Sequence, residues 1–581
     1  MSRLVPAAAL AAGVAHAFGF APTNAWWGQI AMLAVLCGLS HRAAPGRAAW
    51  TGWLFGLGWF GAGVSWVYIS MHTYGGMPAV LAGAATLAFA AYLALFPAAA
   101  LALAARLTAR GTGPADARGL RATLWTAAVF AAAWTLAELA RGWLFTGFPW
   151  LAAGYAHTDG PLAGLAPVVG VYGVGAAAAL AAALVAQAVV AFTAATRAGD
   201  GASAGAAPGA SAGAGANAAP GTAPDAAPRS AADRHTRPVR ALALPLAAAV
   251  LVLLCGALLS QVPWTRPQGE PLSVRLVQGN VPQALKFDPA RESQSMRRYV
   301  ELIESSPATL TILPETAWTR PWAVTPLDLA TRITERLQAR GGAVAIGMPL
   351  SKPLAGDPSG TGEGWGLRGR VTNSVLVLGP AAAGASSHGI PVALGRYDKH
   401  HLVPFGEFVP PGFRWFVDLM SIPLGDFGRG DPVQPPIEAG GQRVAFNICY
   451  EDLFGEELIG PVAHGGATVL VNVSNIAWFG DSLALPQHLQ IARMRALETG
   501  RPMLRATNTG MTAAVDARGR VLARLAPMSE GVLDAQVVGH TGLTPYVQTG
   551  NAPVLAAVAA VLLAALLRMR AVAQRRAARP A

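Results

Sequence analysis

Charge is scarce in this sequence: Asp, Glu, Lys and Arg make up 13% of its residues, about half the roughly 25% usual for a soluble domain. Cysteine is scarcer still, with 3 in 581 residues. There is no Cys-x-x-Cys, no His-Glu-x-x-His and no grouped Cys/His set. This argues against a structural zinc site, a thioredoxin-like redox pair and a zincin centre. No metal and no organic cofactor is expected. Cys37 and Cys255 lie inside apolar runs, which leaves Cys449 as the single thiol of the more polar part. Acidic residues are outnumbered, 31 against 43 basic ones, for a net charge of +12. Many arginines flank apolar runs instead of forming a basic motif, so no nucleic-acid partner is expected.

What is abundant is apolar sequence, at 53% hydrophobic residues and a mean hydropathy of +0.40. Eight apolar stretches stand out, roughly 5–22, 27–41, 49–70, 78–105, 122–140, 162–193, 241–261 and 551–568. Several reach the roughly 20 residues that cross a bilayer. The second is short and would also suit a re-entrant segment. The first could be read as a signal peptide, but further runs follow at once, which favours a membrane anchor.

Arginines mark alternate loops. Arg3 precedes the first stretch, Arg42 and Arg47 follow the second, and Arg106, Arg110, Arg118 and Arg121 follow the fourth. Arg197, Arg229, Arg234, Arg237 and Arg240 follow the sixth, and Arg568, Arg570, Arg575, Arg576 and Arg579 follow the eighth. The intervening loops 23–26, 71–77 and 141–161 hold only Arg141. Positive loops remain cytoplasmic, so both termini are expected inside and residues 266–545 outside. The predicted plan is six spans in 1–198, a flexible cytoplasmic linker over 199–240 and a seventh span in 241–265. An extracytoplasmic domain over 266–545 follows, then an eighth span and basic tail in 546–581. The linker's Ala, Gly, Pro and Ser cannot build a core. Its two Gly-x-Ser-x-Gly matches, at Ser203 and Ser211, lack the strand and helix that a nucleophile elbow needs. Gly52 and Gly56 suit close helix packing, and Trp26, Trp27, Trp50, Trp53, Trp66 and Tyr68 read as interfacial anchors.

The external domain alternates strand-like and helical patterns. SVRLVQGN (273–280), TLTILPE (309–315), GAVAIGMP (342–349), SVLVLGP (374–380), RVAFNICYE (443–451), ATVLVNVSN (467–475) and TAAVDARGRVLARL (512–525) read as β-rich. Residues 292–305 and 327–340 read as amphipathic helices, and the combination predicts an α/β layered domain. Ligands in such domains gather beyond the carboxyl ends of strands. Glu315 and Cys449 end two of these strands, and Lys399 follows Gly-Arg-Tyr-Asp. Each also has a plain structural reading: an ion-paired carboxylate, an inert buried thiol, a surface lysine. Together they make a nucleophile, its base and an electrostatic clamp. A thiol with a pKa near 8.5 needs a base, and an oxyanion needs a cation or N–H donors, such as the backbone of Tyr450.

The segments VQGNVPQ, LPETAW, KHHLVPFGEFVP, NICYEDLF, SNIAWFG, QHLQIARMRALETGRP and RATNTG resemble those of the bacterial apolipoprotein N-acyltransferase family. The domain over 266–545 also resembles the wider carbon–nitrogen hydrolase (nitrilase) superfamily. That resemblance implies a nitrilase-like αββα sandwich beside eight spans in the bacterial inner membrane. It implies Glu315 as general base, Lys399 as oxyanion stabiliser, Cys449 as nucleophile and Glu407 as an additional active-site glutamate. Tyr450 and Glu451 would shape the site, and Trp478 would line a substrate pocket or serve as a core aromatic. His400 and His401 read as structural. Two positions depart from the family's pattern: Ile476 stands where Asp is usual, and Phe287 where Trp is frequent, a change that would bear on acyl-chain or substrate contact.

The implied reaction moves a fatty acyl chain from a membrane phospholipid through a cysteine thioester. The acceptor is the N-terminal amine of an S-diacylglyceryl-cysteine apolipoprotein. The alternatives are a membrane-tethered amidase or nitrilase-type hydrolase with water as acceptor, and a transporter or lipid-binding scaffold with a degenerate domain. Intact Glu315, Lys399 and Cys449 speak against the last.

Overall fold

The computed structural model describes residues 4–108, 120–204, 231–283, 286, 288–351, 371–380, 391–410, 412, 414 and 427–577. Each of the eight apolar stretches carries helix. Five of these helices are long and apolar enough to cross a membrane: Ala79–Thr108, Arg121–Thr146, Pro161–Ala194, Leu242–Leu259 and Ala552–Arg575. Pro45–Gly63 and Val67–Tyr74 qualify only as a pair bent by 61°, which would make six. Leu4–Ala17 and Trp26–Leu39 have 14 residues each, about 21 Å of helix at 1.5 Å per residue, against roughly 30 Å of hydrocarbon.

The expectation of eight full-length spans therefore holds only in part, and packing supplies the reason. The apolar run 5–22 leaves the helix after Ala17, and buried Phe20 and Ala21 lie in the turn that follows. There the Ala21 N–H donates to Gln490 Oε1 at 3.1 Å, so the end of the run contacts the α/β domain. Hydropathy counts these residues as span; hydrogen bonding takes them out of it.

Gly52 and Gly56 behave as expected. A Cβ at either would stand 2.6 Å from Pro97, so these glycines permit the close approach of the helix carrying Pro97. Trp66 departs from the anchor reading. It is buried between Trp150 and Phe479, with ring centroids 4.9 and 4.3 Å away, where the helical part meets the α/β part.

The strands are β1 (Arg266–Gln278), β2 (Leu310–Ile312), β3 (Ala343–Ser351), β4 (Val371–Gly379), β5 (Val392–Asp398) and β6 (Ile437–Ala439). They continue with β7 (Gln442–Ile448), β8 (Val469–Ser474), β9 (Met503–Thr507), β10 (Ala513–Val515), β11 (Val521–Arg524) and β12 (Gly531–Thr541). They form two six-stranded sheets, ordered β12-β1-β2-β3-β4-β5 and β11-β10-β9-β8-β7-β6. Each has a parallel centre, β1-β2-β3 in one and β7-β8-β9 in the other.

The sheets face each other across a core in which Val274, Leu276, Ile312 and Val375 meet Val444, Phe446, Val471 and Leu504. Alternation along each strand sends the other side chains outward. Val344, Ile346 and Leu376 pack under the helices Pro289–Glu304 and Leu327–Arg340. Ala445, Leu470 and Met503 pack under Gly455–Ala463 and Ala484–Thr499. The result is the αββα sandwich.

The helix Ala484–Thr499 is buried on nearly all sides because it serves two neighbours. Leu485, Leu489, Ala492 and Ala496 cover the second sheet. Its polar side chains reach the helical part: Trp150 Nε1 donates to Gln487 at 2.7 Å, and the Val171 N–H donates to Glu498 at 2.7 Å.

Candidate active site

The parallel strands β1, β2, β7, β8 and β9, together with β5, deliver their following loops to one place. Glu315 follows β2, Lys399 follows β5, Cys449 follows β7, Asn475 follows β8 and Asn508 follows β9. All three residues singled out as nucleophile, base and clamp are thus brought together.

Lys399 is buried, with its Nζ 2.9 Å from Glu407 and 3.5 Å from Glu315. Asn373 of β4 bridges the same two carboxylates, its Nδ2 donating to Glu315 at 2.7 Å and to Glu407 at 2.8 Å. The second oxygen of Glu315 accepts the Asn475 N–H at 2.7 Å, and Glu407 accepts the Val403 N–H at 2.9 Å. Two acids so close to one ammonium are held in place by donors on several sides. Burial works against the charge on Lys399, but the carboxylates of Glu407 and Glu315 outweigh it and raise its pKa.

Cys449 opens a short 3-10 turn, Cys449–Leu453, and has φ +53°, a left-handed value unfavourable for a side chain with a Cβ. The surroundings hold it there. The Cys449 carbonyl accepts from Asn472 Nδ2 at 3.1 Å. Glu451 clasps the turn from within: one oxygen accepts the Ile448 N–H (2.6 Å) and the Tyr397 hydroxyl (2.8 Å). The other accepts the N–H groups of His400 (2.7 Å) and His401 (3.0 Å), tying the nucleophile's turn to the lysine's loop. Burial lifts Glu451 to about 7, against the pull of Lys399 and of backbone donors.

Beneath the turn, buried Asp452 is bonded by Arg505 at 2.7 Å and by His488 at 2.9 Å. Burial pushes the Cys449 thiol well above its ordinary pKa; Glu315 adds to this and Lys399 opposes it. Burial thus favours the neutral thiol, so a neighbour able to take its proton bears directly on making the nucleophile.

The remaining expected residues fall as follows. Tyr450 sends its hydroxyl to the Gly147 carbonyl of the helical part at 2.9 Å. Trp478 lies half-buried at the same junction; its carbonyl accepts from Ser70, and its ring meets Tyr74 edge-on at 5.9 Å. His400 contacts the Gly430 carbonyl, and His401 bridges Glu457 and the Thr146 carbonyl while stacking on Phe454. Both are structural contacts. Ile476 is buried beside Leu485, Leu489 and Met511, so an apolar side chain suits its place. Phe287 lies outside the described residues.

Sequence reasoning missed Asn373, Asn475 and Lys286. Asn373 lies just before the apolar run 374–380, where the local sequence carries no signal of its role. Lys286 sits in the Leu-Lys-Phe-Asp segment, where a single lysine between apolar residues carries no local sign of burial.

Residues 12–184 match the model of the apolipoprotein N-acyltransferase N-terminal domain, and residues 273–546 match that of carbon–nitrogen hydrolase. An apolipoprotein N-acyltransferase of Ralstonia nicotianae is 47% identical, covering 98% of this chain and 95% of the relative. The chain belongs to the apolipoprotein N-acyltransferase family. Relatives with the same name from Bordetella bronchiseptica and Nitrosomonas europaea are 44% and 40% identical, covering 97% and 96% of this chain and 97% and 96% of theirs. The family's two modules meet here at the helix Ala484–Thr499 and the turn that carries the cysteine.

Proposed function

We propose that this membrane protein transfers a fatty acyl chain from a phospholipid to the N-terminal amine of S-diacylglyceryl-cysteine apolipoproteins, through a thioester on Cys449. The observation that carries this reading is the buried cluster in which the Lys399 ammonium lies between Glu315 and Glu407, within electrostatic reach of the Cys449 thiol.

Glu315 takes the thiol proton as sulfur attacks the ester carbonyl carbon of the phospholipid. Lys399 and the N–H of Tyr450 stabilise the oxyanion. Collapse breaks the ester C–O bond, and the proton on Glu315 passes to the departing lysophospholipid alkoxide. In the second half-reaction the free amine attacks the thioester carbon. Glu315 receives the proton that nitrogen loses and returns it to the leaving sulfur. Glu407 positions Lys399, Glu451 positions the cysteine turn, and Tyr450 shapes the wall. Trp478 borders the acyl-chain or substrate path. A water-poor site protects the thioester until the amine arrives.

Both substrates are lipid-anchored, so a catalytic domain joined to membrane helices meets them without extracting either. The alternating arginines support a bacterial inner-membrane protein with both termini in the cytoplasm, a cytoplasmic segment over 199–240 that is helical at its described ends 199–204 and 231–240, and an external catalytic domain over 266–545. A topology reporter inserted within 199–238 is expected to read cytoplasmic, and one within 351–369 external. Both on one side would overturn the arrangement.

The acceptor is tested by discharge. Protein loaded with phospholipid alone is expected to carry a hydroxylamine-sensitive acyl adduct on Cys449, visible by intact mass. A diacylglyceryl-cysteine peptide with a free amine should remove it, and its N-blocked counterpart should not. Equal loss with both peptides, or in buffer alone, would make water the acceptor and the protein a hydrolase.

A further inference from the structure

Lys399 is not the only buried cation at this site. Lys286 lies on the loop between β1 and the helix Pro289–Glu304, is 6% exposed, and its Nζ donates to the backbone carbonyl of Glu315 at 3.1 Å. Burying an ammonium is costly unless charge or hydrogen bonds repay it. Residues 280–283, which precede it, are anchored to the strand-end asparagines. The N–H groups of Asn280 and Val281 donate to Asn508 at 2.8 and 2.9 Å, and Asn475 Nδ2 donates to Gln283 at 2.9 Å. Asn475 in turn gives its N–H to Glu315, so one network fixes Lys286 against the acid.

A charge count shows what the second cation does. Glu315 and Glu407 share Lys399, leaving one negative charge in excess among these three groups. Lys286 cancels it. The other acid on its side, Glu292, is already taken by Arg320 at 2.8 Å and by Thr319. Glu315 and Cys449 are the groups whose charge Lys286 feels, while burial lowers its own pKa to about 8. Without Lys286 the one negative charge in excess, on Glu315 before attack and on the oxyanion once Glu315 holds the thiol proton, would stay uncompensated in a buried site.

We propose that Lys286 is a positioning residue for acyl transfer, resting on the roles of Glu315 and Cys449 given above. Its ammonium fixes the Glu315 peptide and supplies the second positive charge that lets this acid act as a base beside the thiol. The ammonium rests on the peptide that carries Glu315, and a neighbouring cation favours the ionised form of an acidic group. Removing it should therefore move the acid-side limb of the rate profile to higher pH, because negative charge on the Cys449 sulfur loses a neighbouring cation.

The test uses the full-length protein in detergent–phospholipid micelles and two variants, Lys286→Met and Lys286→Arg. Two rates are followed across pH: acyl-adduct formation on Cys449 by intact mass, and alkylation of Cys449 by iodoacetamide. Lys286→Met should shift the acid limb of both up by about one unit, a tenfold loss on that limb. Lys286→Arg should keep the limb near the wild-type position even if its rate is lower. An unshifted limb in a folded Lys286→Met protein overturns the proposal, as does an equal shift in both variants. No adduct on the wild-type protein would instead overturn the thioester reading.

Discussion

Cys449→Ala is expected to abolish lysophospholipid release and lipoprotein acylation together. Both half-reactions pass through the same sulfur, and the structure brings no second thiol to this site: Cys37 and Cys255 belong to apolar helices. Cys449→Ser separates nucleophilicity from geometry. A hydroxyl fits the same left-handed turn, but its oxyester is a much poorer acyl donor to an amine than a thioester. The serine variant should therefore show a trace of adduct that a free-amine peptide fails to discharge. Lysophospholipid release by Cys449→Ala at the wild-type rate would place the chemistry elsewhere. Thermal unfolding of both variants should stay near that of the wild type, since the turn is held by Glu451 and by bonds to the Cys449 backbone.

Lys399→Met should lower thioester formation by about two to three orders of magnitude, the usual effect of removing an oxyanion donor from a preorganised site. Here the loss has a second component. The substitution leaves the carboxylates of Glu315 and Glu407 adjacent and buried, with Asn373 as the only side chain bridging both among the described residues. Breaking a buried pair by removing one partner costs about 3–5 kcal/mol, and like-charged neighbours respond by one of them taking up a proton. A protonated Glu315 cannot accept the thiol's proton. The residual rate of Lys399→Met should therefore rise with pH beyond the range where the wild-type rate has levelled. Measuring the adduct by intact mass from about pH 6 to about pH 9, a span that reaches the raised values documented for buried carboxyls, checks this. A variant within threefold of wild type at every pH would remove Lys399 from the reaction.

How much of this site could be read from the sequence depended on how local each feature is. Glu315 and Cys449 end apolar β-runs, and ligand sites lie beyond strand ends. Lys399 follows Gly-Arg-Tyr-Asp, which does not read as a strand in the sequence and which the structure makes the end of β5, so strand patterning alone points to two of the three. The layered fold was legible for the same reason: runs such as SVLVLGP and the amphipathic helix over 327–340 show their burial in residue type alone. Asn373 was illegible because an Asn within a strand reads as a weak strand residue; its value lies in reaching Glu315, 58 positions earlier, and Glu407, 34 positions later. Glu451 was read as shaping the site, yet its bonds to the N–H groups of His400 and His401 depend on where another loop passes.

The sequence by itself determined the eight apolar helices, the strand segments, the linker composition and the residue types available for acyl-transfer chemistry. Hydropathy, side-chain alternation and chemical identity are properties of neighbouring residues, so they survive in one dimension. Only the tertiary structure decided that the first two helices stop short, that Trp66 is buried at a junction, and that Lys399 serves two acids. It also decided that Lys286 stands behind Glu315 and that the Tyr450 hydroxyl closes onto Gly147, 303 positions away. Those outcomes rest on hydrogen bonds and charge pairs between distant segments, whose strength exists only once burial has removed the competing water.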